Sequence, residues 1–347
     1  MGSPYESPVL PNPLDGPPVP PVVLPPPRPR RLRDRRWFKV TAVVAAALLV
    51  LVGAVAAALF AVTESLGNGI RRVPDVFTAI DPAQRPAGTG QLTFLLVARD
   101  SGAIPAPRDV FMLATANQDR TVASVVAIPP NTRVAMPGHG LQRLDAAEAL
   151  GGPTLQVQAV EQLTGIHVDH YAVIDFGRLG AAVNELGGID VGIAQAATSG
   201  GVSFVQGTNH LDGAGVLAYL RQPDLPRGDL DRAQRQQAVM RGGLYRVMAE
   251  GSGGPVGVYN LIDAVAEAVS VDDTVTNNYL RGLGLELRGL RPAETAFLTA
   301  PVGLPAEEGA VLLDEAGAAA LWEAVRTGSV GAYAAQHPAD VLGGWAP

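Results

Sequence analysis

Hydrophobic and polar residues are distributed along this chain in three regimes. Residues 1–39 carry no apolar periodicity and pass from a proline-crowded stretch ("PNPLDGPPVPPVVLPPP") to a basic one ("RPRRLRDRRWFK"). Val40–Val62, "VTAVVAAALLVLVGAVAAALFAV", contains no charge and as a helix spans about 30 Å of hydrocarbon, which predicts a transmembrane helix. From about residue 90 the pattern breaks into short apolar runs and amphipathic stretches, as a folded α/β domain requires.

Three partly β-branched runs open that domain and predict strands: "TFLLVA" (93–98), "VFMLATA" (110–116) and "VASVVAIP" (122–129). Leu155, Ala159, Val160 and Leu163 recur at helical intervals through 153–165, and Gly165 supplies a stop. A strand over 171–176, a helix over 177–188 closed by paired glycines, and a strand "IDVGI" follow. Residues 199–213 read as a loop or hairpin, and 230–250 as a helix on which Ala233, Gln237, Met240, Leu244 and Val247 advance by three or four. Further helices are predicted at "VYNLIDAVAEAV" and "DEAGAAALWEAVRTG", with a strand near "AFLTAPV". The pattern predicts the α/β class: a single extracytoplasmic α-β-α domain with a central mixed sheet, preceded by one transmembrane helix.

Charge orients the chain. The segment before the apolar run holds seven basic residues against Asp34 alone, whereas the flank after it is mixed in sign, so the amino terminus is expected in the cytoplasm and the large domain outside the cell membrane. A cleaved signal peptide has a shorter apolar core, about 7–15 residues. The net charge of −7 argues against a nucleic-acid partner, and the absence of cysteine excludes disulfides, thiolate metal sites and a cysteine nucleophile. No G-x-S-x-G, H-E-x-x-H or P-loop is present. His167 and His170 lead into a strand, which turns them to opposite faces and disfavours a shared metal.

Against that acidic background, "LRQPDLPRGDLDRAQRQQ" (220–237) gathers Arg221, Arg227, Arg232 and Arg235. On a helix starting near Leu230, Arg232, Arg235 and Gln236 share one face. Together with Arg221 they suit the fork geometry with which guanidinium grips phosphate oxygens; the alternative is a solvated face with local pairs to Asp229 and Asp231. A second candidate is "LLVARDSGAIPAPRDVFML", where Asp100 ends one predicted strand and Asp109 precedes the next. A strand-loop-strand unit brings two such carboxylates to one sheet end, as a hard cation requires; turn-forming aspartates are the alternative. Arg99 and Arg108 each precede an aspartate and are placed to neutralise it.

These pieces, in this order, resemble the LytR-CpsA-Psr family of membrane-anchored proteins that attach lipid-linked glycopolymers to peptidoglycan. The likeness runs from about Leu92 to Glu250 and is carried by "FLLVARDS", "RDVFML", "AIPPNTRV", "EQLTGIHVDHYAVIDFGRLGAAVNELGGIDV", "HLDGAGVLAYLR" and "GDLDRAQRQQ". The expected organisation is a disordered cytoplasmic tail (1–39), the transmembrane helix (40–62), a linker (63–90), a domain (91–250) that the resemblance makes catalytic and lipid-binding, and a helical extension of that domain (251–347). The resemblance further implies that Asp100 and Asp109 hold Mg2+ at the diphosphate of a polyprenyl-diphosphate-linked glycan, and that Arg221, Arg232 and Gln236 bind that diphosphate, with Arg235 beside them. The implied reaction is attack by a peptidoglycan hydroxyl on the glycan-linked phosphorus, with polyprenyl phosphate leaving. The implied partners are the glycan carrier, peptidoglycan and the lipid bilayer.

The chain departs from the family pattern in places that touch the chemistry. Gly102 stands where the family has an arginine, the R-x-D before the second strand reads Pro107, Arg108, Asp109, and the P-R-D after the third reads Pro129, Pro130, Asn131. The second arginine after "AYL" is replaced by Pro223. Arg108, shifted by one, is a catalytic candidate, and Arg99, Arg133, Arg143 and Arg227 are candidates for compensation. A non-catalytic module that binds polyprenyl diphosphate is the alternative function. A transcriptional regulator is disfavoured, because no helix-turn-helix is evident and the span separates the large domain from DNA.

Overall fold

A computed structural model describes residues 70–101, 109–223, 225–251, 267–306 and 309–343. The predicted tail and transmembrane helix lie outside the described residues. Among the described residues no helix is long and apolar enough to cross a membrane.

The three opening runs form a meander. β1 (Arg71–Val73) precedes it; β2 (Leu92–Arg99), β3 (Val110–Ala116) and β4 (Ala123–Ile128) pair antiparallel in turn. A hairpin of β5 (Arg133–Met136) and β6 (Gly140–Arg143) follows, absent from the sequence reading because each arm has only four residues. Helix α1 (Ala147–Thr164) begins earlier than its periodicity suggested: Gly152 leaves helical geometry at φ 63° and Pro153 restarts the helix, so only the second half matches the predicted span. Gly165 closes it in the left-handed conformation, φ 64°.

β7 (His170–Asp175) lies parallel to β2, and Asp175 caps α2 (Phe176–Glu185) by accepting from the Gly177 amide. Phe176 thus belongs to the helix, not to the strand. β8 (Ile189–Ile193), β9 (Ala197–Ser199), β10 (Val202–Phe204) and β11 (Gly207–Leu211) make two small hairpins, β8 with β11 and β9 with β10. Asp212 caps α3 (Gly213–Leu220), and α4 (Asp229–Gly251) carries the arginine run. A Cβ at Gly213 would stand 2.0 Å from the Gly180 carbonyl oxygen, so only glycine allows α3 to approach α2 this closely.

The carboxyl-terminal part corrects two expectations. β12 (Val269–Asp272) and β13 (Ala296–Thr299) are members of the main sheet, whose order is β1-β12-β7-β2-β3-β4-β13. Residues 251–347 are therefore no mere helical extension; α5 (Asn277–Glu286) is followed by β13, a hairpin of β14 (Val302–Pro305) and β15 (Val311–Leu313), then α6 (Glu315–Thr327) and α7 (Val330–Gln336). Nor are residues 70–90 a linker. β1 pairs parallel with β12, Val76 and Ile80 are buried, and Arg85 reaches the buried Glu161 carboxylate with two nitrogens. Two isolated apolar anchors in a Pro-rich stretch leave no periodic signal, so the segment looked unstructured.

Alternation along the strands divides the core. Leu95, Val97, Phe111, Leu113, Val126 and Ile128 face α1, α6 and α7; Ala98, Val110, Met112, Val125 and Ala127 face α2, α3 and α4. Helices on both faces of a mixed sheet give the α-β-α layering expected from the pattern.

Candidate functional site

β7, β2 and β3 are neighbours in the middle of the sheet, and their termini meet at one end of it. In register, Arg99 lies opposite Asp175, and the β2–β3 ladder closes with Ala98 opposite Val110. Asp100 and Asp109 continue those two strands at this end, as the strand-loop-strand pattern anticipated, but they turn to different faces.

Asp100 turns toward α3. Its side chain is only 5% exposed, and both carboxylate oxygens accept from Arg221, Nε and Nη2 each at 2.8 Å. This bidentate fork joins the acidic segment to the arginine segment across 121 residues. Asp109 turns toward α1, where Arg99 Nη2 donates to it at 3.1 Å and also lies 3.7 Å from Glu148. Arg99 therefore neutralises Asp109 and not its sequence neighbour Asp100. Burial pushes the Asp109 pKa up, Arg99 pulls it down, and the carboxylates of Glu148 and Asp145 add to the rise. Beneath them the buried Tyr171 hydroxyl donates to Gln156 Oε1 at 2.7 Å, and burial keeps that phenol neutral by raising its pKa.

Asp175 was not singled out by sequence, because an aspartate before a helix reads as an ordinary cap. Besides capping α2 it accepts from the Ser101 amide at 3.1 Å and from Ser101 Oγ at 2.6 Å, which fixes the backbone immediately after Asp100. Arg178 Nε stands 3.2 Å from the same carboxylate.

The remaining arginines divide. Arg232 pairs within its helix, Nη1 to Asp229 Oδ1 at 2.6 Å, and Arg227 pairs with Asp231 at 2.7 Å, so the local ion pairs weighed as the alternative are present. Arg235 folds back: it donates to the Tyr219 carbonyl at 2.8 Å, lies 4.4 Å over the Tyr219 ring, and has its pKa lowered by burial. Gln236 is 4% exposed, and its Oε1 has no hydrogen-bond partner among the described residues. Arg108, with Gly102 and Pro107, lies outside the described residues. Asn131 is engaged structurally, its Nδ2 donating to the Gly309 carbonyl at 2.9 Å.

Among the described residues no group of three or more His, Asp or Glu side chains is arranged to hold a metal unaided. Carboxylate oxygen is the donor type that magnesium takes. Two carboxylates stand at one sheet end on different faces, Asp100 engaged by Arg221 and Asp109 by Arg99, and burial above all raises the Asp109 pKa. Mg2+ is commonly held by one or two carboxylates with substrate phosphates and water completing its shell.

The fold and site define a three-layer α-β-α domain with carboxylate–guanidinium pairs at one end of its central strands. The LytR_cpsA_psr family matches residues 75–325, and the chain belongs to that family. The "Probable cell wall biosynthesis protein LcpB" of Corynebacterium glutamicum is 30% identical over 267 residues, covering 71% of this chain and 63% of its own length. The "Polyisoprenyl-teichoic acid--peptidoglycan teichoic acid transferase TagT" of Bacillus subtilis is 30% identical over 235 residues, 61% of this chain and 71% of that protein. The "LytR-Csp2A-Psr enzyme from Actinomyces oris" superposes with a TM-score of 0.58 at 22% identity, over 74% of this chain and 95% of that one, a likeness of fold.

Proposed function

We propose that this protein transfers a glycopolymer from a polyprenyl-diphosphate carrier to peptidoglycan at the outer face of the cell membrane, anchored by residues 40–62 with its amino terminus in the cytoplasm. The observation that carries the reading is the Asp100–Arg221 fork, which unites an acidic and a basic segment at one sheet end in a chain of this family.

Arg221, whose side chain is 34% exposed, would exchange part of its carboxylate contact for a diphosphate oxygen. Arg232, half-buried against Asp229, would add a second guanidinium by the same exchange. Gln236 would donate from its amide N–H to a diphosphate oxygen, and Arg235 braces α4 against α3 through Tyr219. Asp100 and Asp109 would hold Mg2+, which when bound supplies charge screening to the diphosphate. In the transfer, the acceptor hydroxyl oxygen bonds to the glycan-linked phosphorus and gives up its proton to solvent, and the bond to the bridging oxygen breaks so that polyprenyl phosphate leaves with the electron pair. What these side chains contribute is position and charge at the developing phosphoryl oxygens, where losing one donor costs about 100- to 1000-fold in rate.

The test is full-length protein in proteoliposomes with lipid-linked glycan, peptidoglycan and magnesium. Released polyprenyl phosphate together with polymer on the peptidoglycan supports the reading, and absence of both beside an active relative refutes it. Pro130 and Asn131 favour a second reading, a binder without turnover, since Asn131 is tied to Gly309 and brings no charge. If turnover appears only in the Pro130→Arg/Asn131→Asp variant, the natural protein is that binder.

A further inference from the structure

The β5–β6 hairpin carries a charge arrangement that the diphosphate site does not use. Arg133 and Arg143 are direct cross-strand partners, and like charges so placed destabilise a sheet pair. Arg143 is compensated: its guanidinium forks onto Asp145, Nε to Oδ1 at 3.1 Å with a second contact from Nη2 to Oδ2. Arg133 is half-buried, and its guanidinium makes no hydrogen bond or ion pair with any described residue. The two arginines, Gln142 and Asp145 line one opening of about 270 Å³. Arg133, Arg143 and Asp145 together carry a formal charge of +1.

The hairpin base is held by backbone bonds. The Leu144 amide donates to Thr132 O at 2.9 Å, Asp145 N to Pro130 O at 2.8 Å, and Val311 N to Asn131 O at 3.0 Å. Asp145 lies three residues before Glu148, which stands 3.7 Å from Arg99, so the opening adjoins the sheet end described above.

We propose that this opening is a second anion subsite, taking a group of single negative charge on the glycan chain itself: a phosphodiester or a carboxylate of the polymer repeat. Arg133 is its ligand, and the Arg143–Asp145 fork is its rim. A guanidinium facing a singly charged oxyanion satisfies both the uncompensated charge and the cross-strand repulsion, and the planar fork matches either group. The proposal rests on the transfer reading for its substrate, and it narrows that substrate to anionic glycopolymers.

The test compares two lipid-linked substrates on the same carrier, one with a phosphodiester-linked repeat and one neutral, using the full chain in proteoliposomes. Arg133→Ala is expected to raise KM about tenfold for the anionic substrate, with kcat and the neutral substrate unchanged. Arg133→Lys should recover part of the loss. Equal losses on both substrates, or none on either, would overturn the subsite. If the parent protein turns over neither, the transfer reading fails, and the subsite is then read by calorimetry with a phosphodiester-bridged disaccharide against its neutral counterpart. Tighter binding of the charged probe that Arg133→Ala abolishes supports it, and equal binding of the two probes refutes it.

Discussion

Replacing Arg221 by alanine removes two charge-assisted bonds of 2.8 Å from a carboxylate whose side chain is 5% exposed. Hydrogen bonds to charged groups contribute about 1.5–3 kcal/mol each, which sets a ceiling of about 3–6 kcal/mol. Arg221 is itself 34% exposed, so water screens part of the interaction, and Asp100 has a further contact besides Arg221. Both reduce the expected loss to about 2–3 kcal/mol. For a domain of this size each kcal/mol shifts Tm by about 2–4 °C, giving a fall of about 4–12 °C. The assay is thermal and urea unfolding of Arg221→Ala, Asp100→Ala and the double variant. Because the partners form one fork, the cycle should return a coupling above about 1 kcal/mol. Additivity to within about 0.5 kcal/mol would refute the claim that this contact ties the two segments together.

Two further perturbations separate the roles of the neighbouring carboxylates. The native pKa of Asp109 is raised, so the native state holds its proton more tightly than the unfolded chain does. The stability it contributes is complete below the unfolded carboxylate pKa and is lost as pH rises through the native value. Unfolding free energies of the parent and Asp109→Asn measured against pH should therefore diverge in favour of the variant over that interval; a flat difference or the opposite slope contradicts the assignment. Asp175→Ala removes the α2 cap, about 1 kcal/mol, and the Ser101 clamp, about 1–2 kcal/mol, so urea midpoints should report a loss of about 2–3 kcal/mol. Asp175→Asn keeps an acceptor and should lose less than half as much; equal losses would mean that the carboxylate acts by charge alone.

Several of these contacts were readable in outline from the chain. Asp100 and Asp109 flank two apolar runs, and strands necessarily carry them to one sheet end. Arg232 three residues after Asp229, and Arg227 four before Asp231, are near-neighbour spacings whose ion pairs follow from local geometry. Arg99 beside Asp100 was misleading at first sight: successive side chains on a strand point to opposite faces, so Arg99 meets the cross-strand Asp109 and leaves Asp100 to the other layer. Asp175 left no signal, because its bond to Ser101 depends on β7 lying next to β2.

What the sequence alone determined is therefore what short-range physics controls: the apolar alternation of β2, β3 and β4, the glycine stops after α1 and α2, the amphipathic face of α4, and the expectation of an α/β domain with acidic and basic clusters. Tertiary structure decided which charges meet. Arg221 reaches Asp100 because sheet order and the end of α3 bring distant segments together. The same holds for β1 and β12, two short strands that pair with each other and build one wing of the sheet. Pairing of that kind is stabilised by partners remote in sequence, and no local pattern of three or four residues encodes a remote partner.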